Sequence, residues 1–430
     1  MEFTEEIKNY IKNQPLNPNI GMLGSVGDGK SKCVHILTGH HPCTHSKEQI
    51  RNMTMKPGYR NLMICYNEKY YTIKKKTKNK EKEMDNLIHH LSIIDCPGHQ
   101  ELIFIMLSSI LLMKGAIVVV SAAEPLKEKP QLIQHLAAAK LANLPIIVCH
   151  NKLDLIDKNL AIKRKKELDN KLKEIGIVPK AIIPTCFSRG LGVDFLLEEI
   201  VKHFRPSNDT KDEDIFFMSN RSFDINKPGV NALDICPGII GGSLLNGKLT
   251  IGDEIVIRPG MFDKNEKGEL YYDEFRTKIK SIQSDKKSLE SIIPGGLMAL
   301  GTSVSPALCK NDGMAGQIIT GVNNVPKVYS ELTLNLELTN IFDGNWIPKI
   351  SDNVFLQIGT VSLESKLLKI EKPSKADKKL IKNKKNKNYI FKLLERPACG
   401  IDTIILVSKK ESNGLKIVAY GCLIKGKEII

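Results

Sequence analysis

Residues 19–31 read NIGMLGSVGDGKS, an apolar run followed by a glycine-rich turn and the start of a helix-like stretch. The last eight letters fit the pattern G-x-x-x-x-G-K-[ST] between a predicted strand and a predicted helix. Such glycines let successive backbone N–H groups point at phosphate oxygens, and the helix adds its positive N-terminal end. The alternative is a glycine turn with a chance Lys-Ser pair, but we expect Lys30 to reach outer phosphates and Ser31 to bind Mg²⁺. The loop residues expected to hold phosphate are Gly24, Gly27, Asp28, Gly29, Lys30 and Ser31.

Later segments repeat the pattern of an apolar run that ends in a polar or glycine-bearing turn. They are LSIIDCPGH at 91–99, AIVVVSAA at 116–123, PIIVCHNKLD at 145–154 and AIIPTC at 181–186. Helix-like stretches such as PQLIQHLAAAKLANL lie between them. Strands that alternate with helices predict an α/β domain with a doubly wound, mostly parallel sheet, which binds ligands at the carboxyl ends of its strands.

One apolar stretch is also long enough to cross a membrane. Residues 102–123 carry a single charge, Lys114, but Lys114 and Gly115 split the stretch into a Leu/Ile/Met-rich half and a Val-rich half. A buried helix followed by a central parallel strand has the same composition, because such strands are covered on both faces. We therefore expect no membrane segment.

The composition is that of a folded protein of several domains. The chain has 430 residues, 42% hydrophobic and 26% charged, which excludes a disordered, collagenous or small disulfide-rich protein. The 10 cysteines form no C-x-x-C pair, and Cys65, Cys149 and Cys422 lie in apolar or strand-like runs. Reduced thiols and the lack of an apolar signal core at the N-terminus predict a cytoplasmic protein. The net charge of +15 favours a polyanionic partner, although a coding bias towards Lys, Asn and Ile contributes to it.

The pattern changes after Pro206. RSFDINKPG at 221–229 and GGSLLNGKLTIGDEIVIRPG at 241–260 predict short strands joined by close turns, and a second β-rich stretch begins near Pro326. We therefore expect an α/β P-loop domain at 1–206 followed by two β-barrel domains, at 207–325 and 326–430. Two lysine-rich stretches, 74–82 and 369–388, predict solvated loops, with nucleic-acid contact left open.

Two candidate residues for the terminal phosphate follow the strand LSII. Asp95 can hold Mg²⁺ through water, and the Gly98 N–H can meet the third phosphate of a nucleotide and lose it after hydrolysis. His99 comes next, where a neutral imidazole could orient an attacking water; a surface histidine is the alternative. Upstream, Thr54 in RNMTMKPGY could complete the Mg²⁺ shell only while the third phosphate is bound. These residues predict two nucleotide-sensing loops.

The base is predicted by NKLD at 151–154. Two acceptor oxygens on Asp154 match the N1–H and N2 amino donors of guanine, whereas adenine lacks both donors and would leave a carboxylate unpaired. An Asx turn explains such a residue taken alone, but not in this order behind the two upstream motifs. The nucleotide is therefore predicted to be GTP.

A metal cluster is a further candidate. His40, His41, Cys43 and His45 lie close together and could bind zinc, but their spacing matches no common zinc finger. A polar loop is the simpler interpretation.

The order GSVGDGKS, RNMTMKPGY, DCPGH, NKLD, followed by two predicted barrels, resembles the translational GTPases of the elongation factor Tu type. Within them the chain looks like the gamma-subunit family of eukaryotic and archaeal translation initiation factor two, from about Asn19 to Lys425. The resemblance implies binding of GTP, GDP and Mg²⁺ and of initiator methionyl-tRNA, and assembly with alpha and beta subunits. It also implies delivery of the tRNA to the small ribosomal subunit, and slow GTP hydrolysis without an activating partner.

The resemblance carries over residue by residue. Residues 27–32, including Lys32, would cradle phosphate, with Ser31 and Thr54 on Mg²⁺; Asn151, Lys152 and Asp154 would read guanine. Cys186, Phe187 and Ser188 occupy the Ser-Ala-Gln place of the family, where backbone amides face the base.

Several positions depart from the family pattern. Lys32 replaces a small hydroxyl residue, Ser25 stands where a histidine is common, and Cys186-Phe187 leaves base contact to the backbone alone. Cys65 is the only cysteine between Thr54 and Asp95, so no zinc knuckle and no structural zinc is predicted.

Two other functions compete with this one. An elongation or selenocysteine-specific factor would carry a different aminoacyl-tRNA. A structural subunit with a degenerate nucleotide site is the other, but Lys30, Asp95, Asn151 and Asp154 are all intact.

Overall fold

The computed structural model describes residues 18–39, 58–72, 86–98, 103–205, 214–231, 234–284, 287–338, 346–374, 377, 386–411 and 414–429. It divides into two compact units. Unit 1 comprises residues 1–209 and 295–297, and unit 2 comprises residues 210–294 and 298–430.

Unit 1 is built on a seven-stranded sheet, in the described part of the chain, with the order β3-β2-β4-β1-β5-β6-β7. Its strands are β1 Asn19–Leu23, β2 Gly58–Asn67, β3 Lys69–Thr72, β4 Leu87–Asp95, β5 Gly115–Ser121, β6 Ile146–Asn151 and β7 Ala181–Pro184. Along the order from β4 to β7 every neighbouring pair is parallel, and β2 pairs antiparallel with both β4 and β3. The predicted doubly wound, mostly parallel sheet is confirmed.

The helices of unit 1 connect these strands. They are α1 Lys30–Thr38, α2 Ile103–Ile110, α3 Pro130–Leu141, α4 Lys158–Ile175 and α5 Val193–His203. Residues from α1, α5 and the central strands form one apolar core, whose largest fully buried side chain is Phe187. The stretch 102–123 divides as expected into α2 and β5, and every residue of β5 is buried. Among the described residues, none of the helices is both long and apolar enough to cross a membrane.

Unit 2 is antiparallel β-structure. As far as its residues are described, its first part is an eight-stranded sheet with the order β12-β11-β17-β8-β9-β16-β13-β14, together with a β10–β15 pair. The bounds are β8 Phe216–Phe223, β9 Ile239–Asn246, β10 Leu249–Thr250, β11 Glu254–Lys264, β12 Leu270–Lys278, β13 Ser281–Ser284, β14 Lys287–Leu289, β15 Ser291–Ile292, β16 Met298–Gly301 and β17 Ile318–Gly321. A short helix, α6 Pro306–Cys309, lies before β17. These strands enclose their own apolar core around Phe217 and Ile255.

The second part of unit 2 closes into a barrel. Strands β18 Val328–Leu338, β19 Asn353–Ile358, β20 Val361–Glu371, β21 Lys387–Leu393, β22 Ala398–Cys399, β23 Ile405–Glu411 and β24 Gly414–Glu428 form its sheet. Pairing of β21 with both β20 and β18 closes the ring, which removes free sheet edges. The prediction of β-barrel structure after the α/β domain is confirmed.

The lysine-rich stretch 369–388 is not a loop throughout. Lys369 and Glu371 continue β20, paired with Ile390 and Asn388 of β21, so the loop prediction is wrong at both ends of this stretch. A strand can carry lysines on its exposed side while alternate residues such as Leu367 are buried. The middle of this stretch and all of 74–82 lie outside the described residues, apart from Asp377.

Candidate functional site

The polar turns predicted from the sequence lie at one edge of the unit 1 sheet. Backbone hydrogen bonds join the strand ends directly: Cys96 N–H donates to Met22 (3.3 Å), Ala122 N–H to Asn151 (2.8 Å) and Thr185 N–H to His150 (2.9 Å). Because β4, β1, β5, β6 and β7 are parallel, the loops that follow them share this edge.

The phosphate loop is shaped by its glycines. Gly24, Gly27 and Gly29 have φ values of 139°, 82° and 104°, in the region that other residues rarely adopt. A β-carbon on Gly24 would overlap the Val119 carbonyl oxygen, and one on Gly29 would overlap the Asn151 side chain. A β-carbon on Gly27 would meet nothing within 4 Å, so the loop is open on that side. Close packing behind and open space in front is the arrangement that lets a phosphate approach the backbone.

Lys30, the first residue of α1, is buried at the centre of this loop. Its ammonium donates to the carbonyl oxygens of Gly24 (2.9 Å) and Ser25 (2.8 Å), and a β-carbon on Gly98 would overlap it. Burial lowers the pKa of Lys30, while the carboxylates of Asp95 and Asp28 oppose that shift. A cation that meets neutral carbonyl oxygens beside an open glycine loop fits a phosphate group.

The expected magnesium residues also lie at this edge. Asp95 ends β4 opposite Met22 of β1 and is fully buried, and Ser31 lies half-buried in the first turn of α1. Carboxylate and hydroxyl oxygens are the hard ligands that Mg²⁺ prefers, and this ion commonly completes its shell with substrate phosphates and water. The donor set therefore fits Mg²⁺. Lys32 is exposed on the outer side of the same turn.

Asn151 connects the phosphate loop to the base-reading loops. Its Nδ2 donates to the Asp28 carbonyl oxygen (2.8 Å), and its Oδ1 accepts from the Phe187 N–H (3.1 Å). Lys152 follows with a left-handed backbone (φ 63°), which turns the chain towards Asp154. One buried amide thus ties together three strand ends.

Asp154 presents an exposed carboxylate. A hydrogen bond from the Cys186 thiol is the main cause that lowers the pKa of Asp154, and the Ser188 hydroxyl donates to its Oδ2 at 3.4 Å. The Cys186 sulfur also lies 3.1 Å from the Ser188 oxygen. The Phe187 side chain points into the core. The segment 186–188 therefore contacts Asp154 through the side chains of Cys186 and Ser188, in addition to its backbone amides nearby.

Some predicted residues lie outside the described part of the chain. These are Thr54, His99 and the zinc candidates His40, His41, Cys43 and His45.

Two residues that brace the phosphate loop were missed at the sequence level. His135 of α3 is buried, and its Nδ1 accepts from the Gly24 N–H at 3.2 Å. Burial, with a smaller effect of Lys30, lowers the pKa of His135 to about 3, so the ring is neutral and can accept. Lys129 pairs with Asp28 and is almost fully buried. The position of His135 on the apolar face of a predicted helix was a signal that could have indicated it. No local sequence pattern indicates Lys129.

A phosphate loop, a buried carboxylate at the next strand end and an Asn-Lys-x-Asp loop share one edge of a parallel sheet that precedes β-barrel structure. Together they define a P-loop GTPase of the translational class. The model of the elongation factor Tu GTP binding domain matches residues 16–206. The eukaryotic translation initiation factor 2 subunit gamma of Schizosaccharomyces pombe is 31% identical over 96% of this chain and 94% of that protein. The corresponding archaeal subunit of Sulfurisphaera tokodaii is 36% identical over 71% of this chain and 75% of its own.

The chain therefore belongs to the family of translation initiation factor 2 gamma subunits. Its fold is similar to that of the elongation factor SelB of Methanococcus maripaludis in complex with a GTP analogue, with a TM-score of 0.71 and 19% identity over 97% of this chain and 80% of that one. The family is one of translational GTPases, so GTP hydrolysis and binding of GTP, GDP and Mg²⁺ are its family-level properties. The resemblance to this family that the sequence motifs indicated is confirmed.

Proposed function

We propose that the chain is the guanine-nucleotide-binding core of a heterotrimeric translation initiation factor. It binds methionylated initiator tRNA while GTP is bound and delivers that tRNA to the small ribosomal subunit. The observation that carries this proposal is the 31% identity with the fission yeast gamma subunit over 96% of this chain and 94% of that one. The convergence of Lys30, Asp95 and Asp154 at one sheet edge supports a working nucleotide site.

Each strand end has a role in this proposal. The phosphate-loop amides and Lys30 bind the phosphates, and Asp154 with Asn151 and Lys152 selects guanine. Mg²⁺, which neutralises phosphate charge when bound, would be held by Ser31 and Thr54, and by Asp95 through water. Gly98 would follow the third phosphate, and its closeness to Lys30 supports this role.

The switch and its timing are also part of the proposal. Thr54 and Gly98 hold their loops while the third phosphate is present, and His99 orients the attacking water. Hydrolysis releases both loops and then the tRNA. We expect slow turnover by the chain alone and acceleration by a GTPase-activating partner, with a nucleotide-exchange factor restoring GTP.

The partners follow from family membership. We propose alpha and beta subunits of the same factor, the initiator tRNA and the small ribosomal subunit, all in the cytoplasm. The strand ranges Asn19–Pro184, Phe216–Gly321 and Val328–Glu428 support domains at 1–206, 207–325 and 326–430. The net charge of +15 suits a tRNA partner.

The experiment compares initiator and elongator methionyl-tRNA on the full chain with a non-hydrolysable GTP analogue. We expect tighter binding of the initiator, and a fall in affinity with salt at a log–log slope of about −0.9 per neutralised phosphate. The matched control repeats both titrations with GDP, which should weaken both. Equal affinity for the two tRNAs would contradict the proposal.

A second candidate is a factor for another aminoacyl-tRNA, favoured by the SelB-like fold. Equal or inverted tRNA preference in the same experiment would support it. A purely structural subunit is the third candidate, and calorimetry with GDP in magnesium buffer would support it if no heat of binding were observed.

A further inference from the structure

Asp28 is an unusual residue to find inside a loop that binds phosphate. It lies between two glycines of that loop, and its side chain is fully buried. A bare carboxylate at this position would repel a polyphosphate, and burial would strengthen the repulsion because the surroundings screen it poorly. The neighbours of Asp28 therefore decide whether the loop can bind an anion.

Those neighbours tie up the whole carboxylate. Oδ2 accepts from the Ser25 N–H at 2.7 Å, within the same loop, and Oδ1 accepts from the Ser121 N–H at 3.0 Å, at the end of β5. The Lys129 ammonium pairs with Oδ1. The Asp28 carbonyl oxygen accepts from Asn151 at the end of β6. One residue thus fixes the phosphate loop to two neighbouring strand ends.

The Lys129 side chain is also buried and paired. Its side chain is 3% exposed, and it precedes α3 as the residue at the helix N-cap. Apart from Asp28, its ammonium lies 3.0 Å from Glu124, whose side chain is half-exposed. The Asp28 and Lys129 charges act in opposite directions on Lys30, since Asp28 raises and Lys129 lowers the pKa of that lysine. Lys129 therefore opposes the charge of Asp28 at the ammonium that meets the phosphates.

We propose that Lys129 is a positioning residue for nucleotide binding: by pairing with buried Asp28 it cancels the negative charge of the phosphate loop and anchors the loop to the segment before α3. This inference rests on guanine-nucleotide binding at the loop. Removing one member of a buried charge pair leaves the other uncompensated, which is far more harmful than removing both.

The test measures the Kd of a fluorescent GDP derivative for the full chain and its variants. Lys129→Met leaves the Asp28 charge uncancelled, so we expect Kd to rise by about 30-fold or more. In the double variant Asp28→Asn/Lys129→Met neither charge of the buried pair remains, and the amide oxygen can still accept one N–H. Its Kd should return to within about tenfold of the wild type. Lys127→Met, two residues away and exposed, is the matched control and should leave Kd unchanged.

The outcomes separate the possible failures. A wild-type chain that does not bind the probe overturns nucleotide binding itself, and the role of Lys129 with it. Wild-type binding with an unchanged Kd in Lys129→Met overturns only this role, as does a double variant no better than the single one, because the weaker binding would then not come from the uncompensated Asp28 charge. If Lys129→Met does not fold by circular dichroism, Lys129→Gln replaces it, and rescue of its weaker binding by Asp28→Asn is the expected result; no rescue overturns the proposal.

Discussion

Unit 1 and unit 2 use their buried polar side chains differently. In unit 1 the groups Asp28, Lys30, Asp95 and Asn151 gather at one edge of a parallel sheet, with open space in front of Gly27. In unit 2 comparable groups join its two β-structures to each other. The partly buried guanidinium of Arg396 donates to the carbonyl oxygens of Ala315 (3.2 Å) and Gly316 (2.9 Å).

Other contacts in unit 2 follow the same pattern. Arg258 donates to the Pro326 carbonyl oxygen at 2.7 Å and pairs with Glu274, and the Thr360 hydroxyl donates to the Ser219 carbonyl oxygen at 2.6 Å. The buried polar groups of unit 1 brace a loop that is open in front of Gly27, whereas these groups of unit 2 fix one packed element against another. A buried charge alone therefore does not identify a ligand site; the site is identified by open space next to the charged group.

The largest expected effect is that of acid, which should lower the stability of unit 1 more than that of unit 2. All 10 histidines lie between residues 35 and 203, which belong to unit 1. Burial lowers the pKa of His89 to about 4 and of His135 to about 3, and it also lowers the pKa of His150. The unfolded chain, with histidine pKa values of about 6.5, takes up these protons first, so stability is lost as the pH falls below about 6.5. Between pH 7 and pH 5 the first two histidines should together remove about 4 kcal/mol from the stability of unit 1.

Urea unfolding at both pH values checks this prediction. The only tryptophan, Trp346, is buried in unit 2, where its indole donates to Asp352, so its fluorescence follows that unit. Imidazole proton NMR signals follow unit 1. Equal shifts of the two transitions between pH 7 and pH 5 would contradict the prediction.

A smaller effect is expected in unit 2 from Arg396→Met. The substitution keeps an unbranched side chain but removes the donors to Ala315 and Gly316 and the stacking on Phe262, whose ring centre lies 5.0 Å away. We expect the free energy of unfolding of unit 2 to fall by about 2 kcal/mol, measured by Trp346 fluorescence in urea. Nucleotide affinity should stay the same, because the residue belongs to the other unit.

The matched control is Lys327→Met. It removes an exposed pair with Glu428 (2.7 Å) from the same barrel and should leave the stability of unit 2 almost unchanged, because solvent screens such a pair. Equal losses in the two variants would mean that Arg396 contributes no more than a surface charge.

The sequence predicted the parts of this molecule that are encoded by neighbouring residues. The glycine loop, Asp95 after LSII and Asp154 in NKLD each follow from a short pattern, and parallel strands then bring them to one edge. The contacts that hold the phosphate loop against the rest of unit 1 do not follow from short patterns. Lys129 and Asp28 are 101 residues apart, and Gly24 and His135 are 111 apart, so no spacing or period marks either pair.

The same reason explains what was missed in unit 2. Arg396 meets residues about 80 positions earlier, and only the folded backbone brings them together. The error at 369–388 has another origin: lysine composition was given more weight than the alternation of buried and less buried residues from Leu363 to Leu368, which marks the strand that continues to Glu371.

The central claim is that the strand ends of unit 1 form one site that reads guanine through Asp154. Asp154→Asn replaces an acceptor by a donor, which suits xanthine and not guanine, and Asp157→Asn is the control because Asp157 caps α4 through Asn159 and Leu160. Affinities for GDP and xanthosine diphosphate, measured by calorimetry with magnesium, give the answer. In Asp154→Asn alone we expect GDP affinity to fall by about 10²-fold or more and the preference to reverse in favour of the xanthine nucleotide. Unchanged preference for guanine in that variant would contradict it.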